Sequence, residues 1–252
     1  TVEGYLSDII YNPTTAITDF TPPTAPLSSS GTSLHIKGTD ASIIDKSQSS
    51  NLKLIGTTTG STTQAKFVGS KSMYFDGTGD KVSWYPSLPF DDDDFTIEFW
   101  WRPEDTGKQA IFFGTAGTDH SIAISYSMPS TGQTMNLWAS SNGTSWNLIN
   151  ADGGGNGIGS ETVTQNAWNH IAVTRQGTAF KLFTNGVLDI SVTASGAIAD
   201  YGGGTYPAQI GQWWQAGTNI TDLHGYIQDF RITNGLARYT TNFTPPTAPL
   251  EG

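Results

Sequence analysis

Three sets of side chains in this sequence have chemistry that can bind something. The first is aromatic: Trp213 and Trp214 stand together in QIGQWWQAGTNITD, Trp146 follows SSNGTS, Trp138 ends an apolar run, and Tyr201 and Tyr206 flank a glycine triplet. An indole face offers flat apolar area beside an N–H donor, which suits the C–H face of a sugar ring while nearby Asn and Gln amides bond its hydroxyls. The same side chains suit packing beneath long loops, or a subunit contact. The second set is acidic. Asp76 and Asp80 bracket Gly-Thr-Gly, and two hard oxygen donors in a turn suit Ca²⁺, although the same residues make an ordinary tight turn. Four consecutive acids, Asp91–Asp94, cannot all face one ion from a loop feeding a strand. They read as a solvated turn with Asp94 capping the strand start. The third set is histidine. His35, His120, His170 and His224 are scattered without ligand spacing, and His170, inside WNHIAVTR, reads as a packed structural side chain.

The elements that position these residues are short strands. SMYFDGTGDKVSW alternates apolar and polar residues on either side of Asp76-Gly77-Thr78-Gly79 and reads as a hairpin. In FTIEFWWR, Phe95, Ile97, Phe99 and Trp101 alternate with Thr96, Glu98, Trp100 and Arg102, an inner strand ended by Pro103. Further strands are expected at 34–37, 52–55, 65–68, 110–113, 121–126, 134–138, 146–149, 168–175, 179–184, 187–192, 208–211 and 225–232, with a turn at Asn185-Gly186. Trp100, Trp101 and Trp168 fall in or beside such strands and are expected in the core. Helical spacing is confined to a possible single turn at 236–239. About a dozen strands separated by turns predict an all-β, two-sheet antiparallel sandwich.

Composition narrows the partners. Charged residues are 13% of the chain, aromatics 12%, and the formal net charge is −10, which argues against a phosphate backbone as partner because that needs clustered Lys and Arg. Nucleic acid is therefore excluded as the expected ligand, and few basic residues suit neutral rather than anionic sugars. With zero cysteines there is no disulfide or thiolate chemistry. No run approaches the ~20 apolar residues of a membrane span and no leader is visible, so membrane insertion is not expected. Asn142-Gly-Thr, Asn219-Ile-Thr and Asn242-Phe-Thr fit the N-glycosylation pattern, which matters only on a eukaryotic secretory route.

One stretch occurs twice. Residues 225–250 read GYIQDFRITNGLARYTTNFTPPTAPL and residues 4–27 read GYLSDIIYNPTTAITDFTPPTAPL. Gly4, Tyr5 and Asp8 match Gly225, Tyr226 and Asp229, and Phe20–Leu27 match Phe243–Leu250 letter for letter. Repetition at this spacing marks domain-sized units. Residues 28–252 are expected to form one sandwich opening with the strand at 34–37. Residues 1–27 are then the end of a preceding repeat or an inter-subunit connector, with Tyr5, Asp8 and Phe20 as assembly residues.

The succession SMYFDGTGDKVSW, DFTIEFWWRP, NAWNHIAVTR, FKLFTNGVL, QIGQ and GYIQDFRITNGLARYTTNFTPP resembles the laminin-G-like branch of the concanavalin A-like lectin/glucanase superfamily, in family order, over residues 34–246. The ending ARYTTNFTPPTAP is similar to domains in tail, fibre and other structural proteins of phages. The resemblance implies a jelly-roll sandwich, extracellular or on a virion surface, that binds a glycan or a surface protein, while the duplicated segment points to copies of itself or adjacent repeats as partners. It implies a structural Ca²⁺ near the first and last strands, with Asp45 and Asp229 at the matching positions, although Gln228 stands where relatives often have Asp. Hydrolytic relatives use two carboxylates on one strand in Glu-x-Asp-x-Glu spacing. That spacing is absent here: Glu98 is the only acid inside a core strand, and Glu104 and Asp105 lie past Pro103. The expectation is a non-catalytic binding domain; a structural fibre subunit and, behind both, a polysaccharide hydrolase or lyase are the alternatives.

Overall fold

The structure, a computed structural model, describes residues 8–11, 34–37, 51–85, 90–107, 109–114, 120–128, 132–199, 207–215 and 218–250. In chain order the strands begin with β1 (Asp8–Tyr11), β2 (Leu34–Lys37), β3 (Asn51–Ile55), β4 (Thr59–Ser61), β5 (Ser72–Asp76), β6 (Lys81–Tyr85), β7 (Phe95–Pro103), β8 (Gln109–Phe113) and β9 (Ile122–Tyr126). They continue with β10 (Met135–Ala139), β11 (Asn169–Gln176), β12 (Ala179–Thr184), β13 (Val187–Thr193), β14 (Ala208–Ile210), β15 (Gln212–Gln215), β16 (Thr218–Asp222) and β17 (His224–Asn234). The one helical turn among the described residues is Asp152–Gly154.

The chain divides into two units, Thr1–Ala41 and Ser42–Gly252. In the first, β1 pairs antiparallel with β2, Asp8 opposite Lys37. The strand expected to open the sandwich is therefore paired with the duplicated segment instead. The second unit is a jelly-roll sandwich: a six-stranded sheet ordered β10-β9-β8-β14-β6-β3 faces a seven-stranded sheet ordered β13-β12-β11-β7-β17-β5-β4, and β15-β16 forms a separate hairpin.

Alternation builds the layer between the sheets. Phe95, Ile97, Phe99 and Trp101 of β7 join Ile122, Ile124 and Tyr126 of β9 and Met135, Leu137 and Ala139 of β10 in one buried cluster. Fully burying each such aliphatic or aromatic side chain is worth about 1.5–3 kcal/mol. On the opposite faces Thr96, Glu98 and Trp100 of β7 and Ala123 and Ser125 of β9 are buried as well, so a second layer covers each sheet over these strands.

Three sequence expectations change. β5 and β6 are not a hairpin: β5 pairs with β17 and β4, β6 with β14 and β3, so DGTG carries the chain from one sheet to the other. Gly77 (φ 84°) and Gly79 (φ 74°) supply the positive-φ backbone of this crossing. Residues 65–68 and 146–149 are loop rather than strand, with a single bridge at Ile149. Conversely QWWQ, outside every strand expected from the sequence, is β15.

Candidate functional site

Outside the six-stranded sheet lies a second apolar cluster: Ala110, Phe113, Ala123, Met128, Trp138, Ala151 and Trp213, with Trp146 and Ile158 partly buried against it. β10 sends Met135 and Leu137 inward and Trp138 outward, and the β15-β16 hairpin folds Trp213 over it. Three of the nominated aromatics thus meet. Ring centroids are 5.5 Å apart for Trp138 and Trp213, 5.7 Å for Trp138 and Trp146, and 5.8 Å for Trp146 and Trp213, all tilted or edge-on. Phe113 and His120 close around them, with His120 4.5 Å from Trp146. These are favourable aromatic geometries.

Their exposures differ. Trp138 and Trp213 are each only 3% exposed, so they form the floor, and the Trp138 Nε1–H is already donated to Ser125 Oγ at 2.9 Å. Trp146 is half-buried and rises from that floor within a polar loop. Asn142 Oδ1 accepts from the Thr144 and Ser145 amides, and Asn147 Oδ1 accepts from Ser141 N while its Nδ2 donates to Ser141 Oγ. A fixed indole ringed by exposed Ser141, Asn142 and Asn147 can stack on a ligand ring and bond its hydroxyls. Tyr201, Tyr206 and the side chain of Trp214 lie outside the described residues.

The acidic candidates have other occupations. Asp80 is fully buried and accepts from Thr57 N, Asp76 N at 2.9 Å and Thr57 Oγ1. Asp76 accepts from Thr78 N and Thr57 Oγ1. Oxygens aimed at amide hydrogens tie the inter-sheet turn and do not fit a Ca²⁺ shell. Asp229, at φ 53° in a β17 bulge, accepts from Leu250 N at 3.0 Å. Asp45, Tyr5, Phe20 and the side chain of Asp8 lie outside the described residues. Among the described residues no group of three or more His, Cys, Asp or Glu side chains is placed to hold a metal. Asp94 Oδ1 accepts from Gly177 N at 2.7 Å, and buried Arg175 donates to the Asp91, Gly177 and Gly196 carbonyls, so the acid run is a tied turn.

The outer face of the seven-stranded sheet is closed by residues 235–250, a strap the sequence showed only as a proline-rich tail. Thr174 Oγ1 donates to Tyr239 O, Lys181 Nζ to Thr240 O, and Phe243 N to Gly186 O. Tyr239 and Phe243 stack at 3.7 Å, and Phe243 meets Phe183 and His170 edge-on. Beneath lies Glu98, fully buried: Arg231 Nη2 reaches Oε1 at 2.6 Å, Tyr239 OH reaches Oε2 at 2.9 Å, and His170 Nε2 is 3.4 Å from Oε2. Burial pushes the Glu98 carboxyl up, but the nearby His170 ring, hydrogen bonds from Arg231 and Tyr239 and the Arg231 charge outweigh it and hold it below the ordinary carboxylate range. Burial and then the Glu98 charge push the Tyr239 phenol up, so it stays a donor. The one acid of β7 is a sealed anchor, closed to substrate.

A family model described as the concanavalin A-like lectin/glucanases superfamily matches residues 76–237, which spans β6 to β17. The chain belongs to the concanavalin A-like lectin/glucanase superfamily. No curated protein sequence matches it. Solved structures give the same fold at low identity. Domain 4 of AbnA, a GH43 extracellular arabinanase from Geobacillus stearothermophilus solved in complex with arabinotriose, is 18% identical, with 74% of this chain and 82% of that chain covered at a TM-score of 0.52. The enzymatically active domain of tailspike protein 2 from bacteriophage CBA120 is 14% identical, with 75% of this chain but 29% of that chain covered at a TM-score of 0.50. In this chain the aromatic floor and the strap lie as outer layers on the two-sheet frame.

Proposed function

We propose that this is a non-catalytic carbohydrate-binding domain displayed outside a cell or on a virion, and that Trp146 is its contact residue. The observation that carries this reading is the half-buried Trp146 indole, fixed by Trp138, Trp213, Phe113 and His120 and rimmed by Ser141, Asn142 and Asn147. Trp138 and Trp213 are the foundation of that surface rather than its face. Superfamily membership supports the reading, as does the shared fold of an arabinanase domain solved with arabinotriose. With 12 Lys and Arg against 22 Asp and Glu, a neutral sugar fits better than an anionic one. No helix among the described residues is long and apolar enough to cross a membrane.

The test is a glycan array on the isolated protein, repeated with Trp146→Ala. Binding that Trp146→Ala weakens at least tenfold while the melting temperature holds supports the site. A blank array, with Trp146→Ala leaving attachment of the parent particle unchanged, defeats it. A second reading, a structural subunit of a fibre or repeat array, is favoured by the duplicated segment at 4–27. Unaltered assembly and solution mass after removal of residues 1–27 would count against that reading.

A further inference from the structure

Hydrogen bonds within the Trp146 loop determine what its rim can still offer a ligand. Asn147 N donates to Ser145 O at 2.9 Å, which holds Trp146 at the middle of a three-residue turn. Asn147 Oδ1 accepts from Ser141 N at 2.9 Å, and Asn142 Oδ1 accepts from Thr144 N at 3.0 Å and Ser145 N at 3.1 Å. The Ser140 hydroxyl lies between the two oxygens, 3.1 Å from Asn142 Oδ1 and 3.3 Å from Asn147 Oδ1. Both amide oxygens therefore face the loop's own donors. The donors differ. Asn147 Nδ2 gives one hydrogen to Ser141 Oγ and carries a second, and Ser141, Thr144 and Asn147 are exposed. Residues 140–150 contain no charged side chain. Around the indole the rim is neutral and donates more readily than it accepts.

A ring that bears only hydroxyls brings a proton with every oxygen and is held best opposite carboxylate or amide oxygens, which this rim has turned inward. An acetamido substituent brings instead a carbonyl that only accepts, beside an apolar methyl suited to an indole face. A carboxylate would also accept, but 22 Asp and Glu against 12 Lys and Arg oppose an anionic sugar. We propose that the Trp146 surface selects acetamido sugars, with the methyl against Trp146 and the carbonyl accepting from Asn147 Nδ2. The proposal deepens the reading of Trp146 as a glycan contact and rests on it. A site that offers a donor to one group discriminates against the analogue lacking that group.

The test compares sugars that differ at one carbon. Saturation-transfer NMR on the full chain uses N-acetylglucosamine with glucose, N-acetylgalactosamine with galactose, and glucosamine as a cationic control. At least one acetamido member should bind about tenfold or more tightly than its hydroxyl counterpart, with the acetyl methyl the most saturated group. Trp146→Ala should abolish that saturation at an unchanged melting temperature. Asn147→Asp keeps the shape and the acceptor for Ser141 N but removes the amide hydrogens. It should weaken the acetamido member about three- to tenfold and leave its counterpart unchanged. Equal binding of both members of a pair, abolished by Trp146→Ala, overturns the acetamido preference and leaves Trp146 a glycan contact. Glucosamine binding as tightly as the acetamido member shows charge attraction and overturns the preference too. A blank glycan array together with no saturation of any of these sugars defeats both the preference and the contact.

Discussion

The hydroxyl of Tyr239 donates to Glu98 Oε2 across 2.9 Å, joining two residues 141 positions apart in the chain and fastening the strap to the middle of the seven-stranded sheet. Tyr239→Phe removes only that oxygen and leaves one side of a buried carboxylate undonated. We expect a loss of about 1–3 kcal/mol in urea denaturation at unchanged m. Arg231→Met, which strips the charge partner, should lose about 3–5 kcal/mol.

Acid should loosen the same joint. The folded Glu98 pKa is lowered, so the folded state binds fewer protons than the unfolded state and the stabilisation is complete above the unfolded value of about 4.3. It is lost as pH falls through the folded pKa. Melting temperatures of wild type and Glu98→Gln should therefore converge below pH about 4. Curves that stay parallel would remove Glu98 from the account.

Gly186 tests the strap from the other side. It sits at φ 80° in the β12-β13 turn, and an added Cβ would collide with the Phe243 carbonyl and lie 3.0 Å from Pro245 Cδ. Gly186→Ala should cost about 1–3 kcal/mol and hasten tryptic cleavage after Arg238. Cleavage at the wild-type rate would show that the strap is held elsewhere.

The two exposed-versus-buried tryptophans should separate cleanly. Trp213→Ala opens a cavity between Phe113 and Trp138 and should cost about 3–5 kcal/mol, measured by chemical denaturation. Trp146→Ala, at a half-buried site, should lose less than half as much and change binding instead.

Chelation tests the acidic turn. Since Asp76 and Asp80 already accept from Thr57, Asp76 and Thr78 donors, EDTA should move the melting temperature by less than about 1 °C. A rise on adding CaCl₂ that Asp80→Asn abolishes would put an ion on that turn after all.

Much of the frame is written in period-two patterns, and β7 is the plainest case: Phe95, Ile97, Phe99 and Trp101 point to the core as alternation requires. What alternation cannot show is that the opposite face is covered too. Thr96 and Glu98 look solvent-facing in sequence, yet they are buried because a strap of irregular backbone, with no periodicity of its own, lies over them. Trp213 misleads for the opposite reason. Its Gly, Asn and Gln neighbours signal a loop, whereas pairing with Thr221 makes a strand whose tryptophan lines the floor. DGTG carries the turn chemistry of a hairpin, and only the partners of β5 and β6 reveal that it joins opposite sheets. For Glu98, the lone acid in an apolar strand was the visible mark; its partners Arg231 and Tyr239 sit more than 130 residues away, beyond any local pattern.

β17 comes after every other strand of the sandwich in the chain, yet it lies between β7 and β5, inside the seven-stranded sheet. As the protein emerges from a ribosome, that sheet must wait in two parts, β13-β12-β11-β7 and β5-β4, each presenting an unpaired edge. Joining them closes a loop from residue 76 to residue 224 in one late event, a strongly non-local step that makes folding slow. Until residue 234 is free to pair, the nascent chain holds a vacant slot shaped for a strand, and during that interval any similar segment has its opportunity to enter. The buried carboxylate beside that slot is in place before the correct strand arrives.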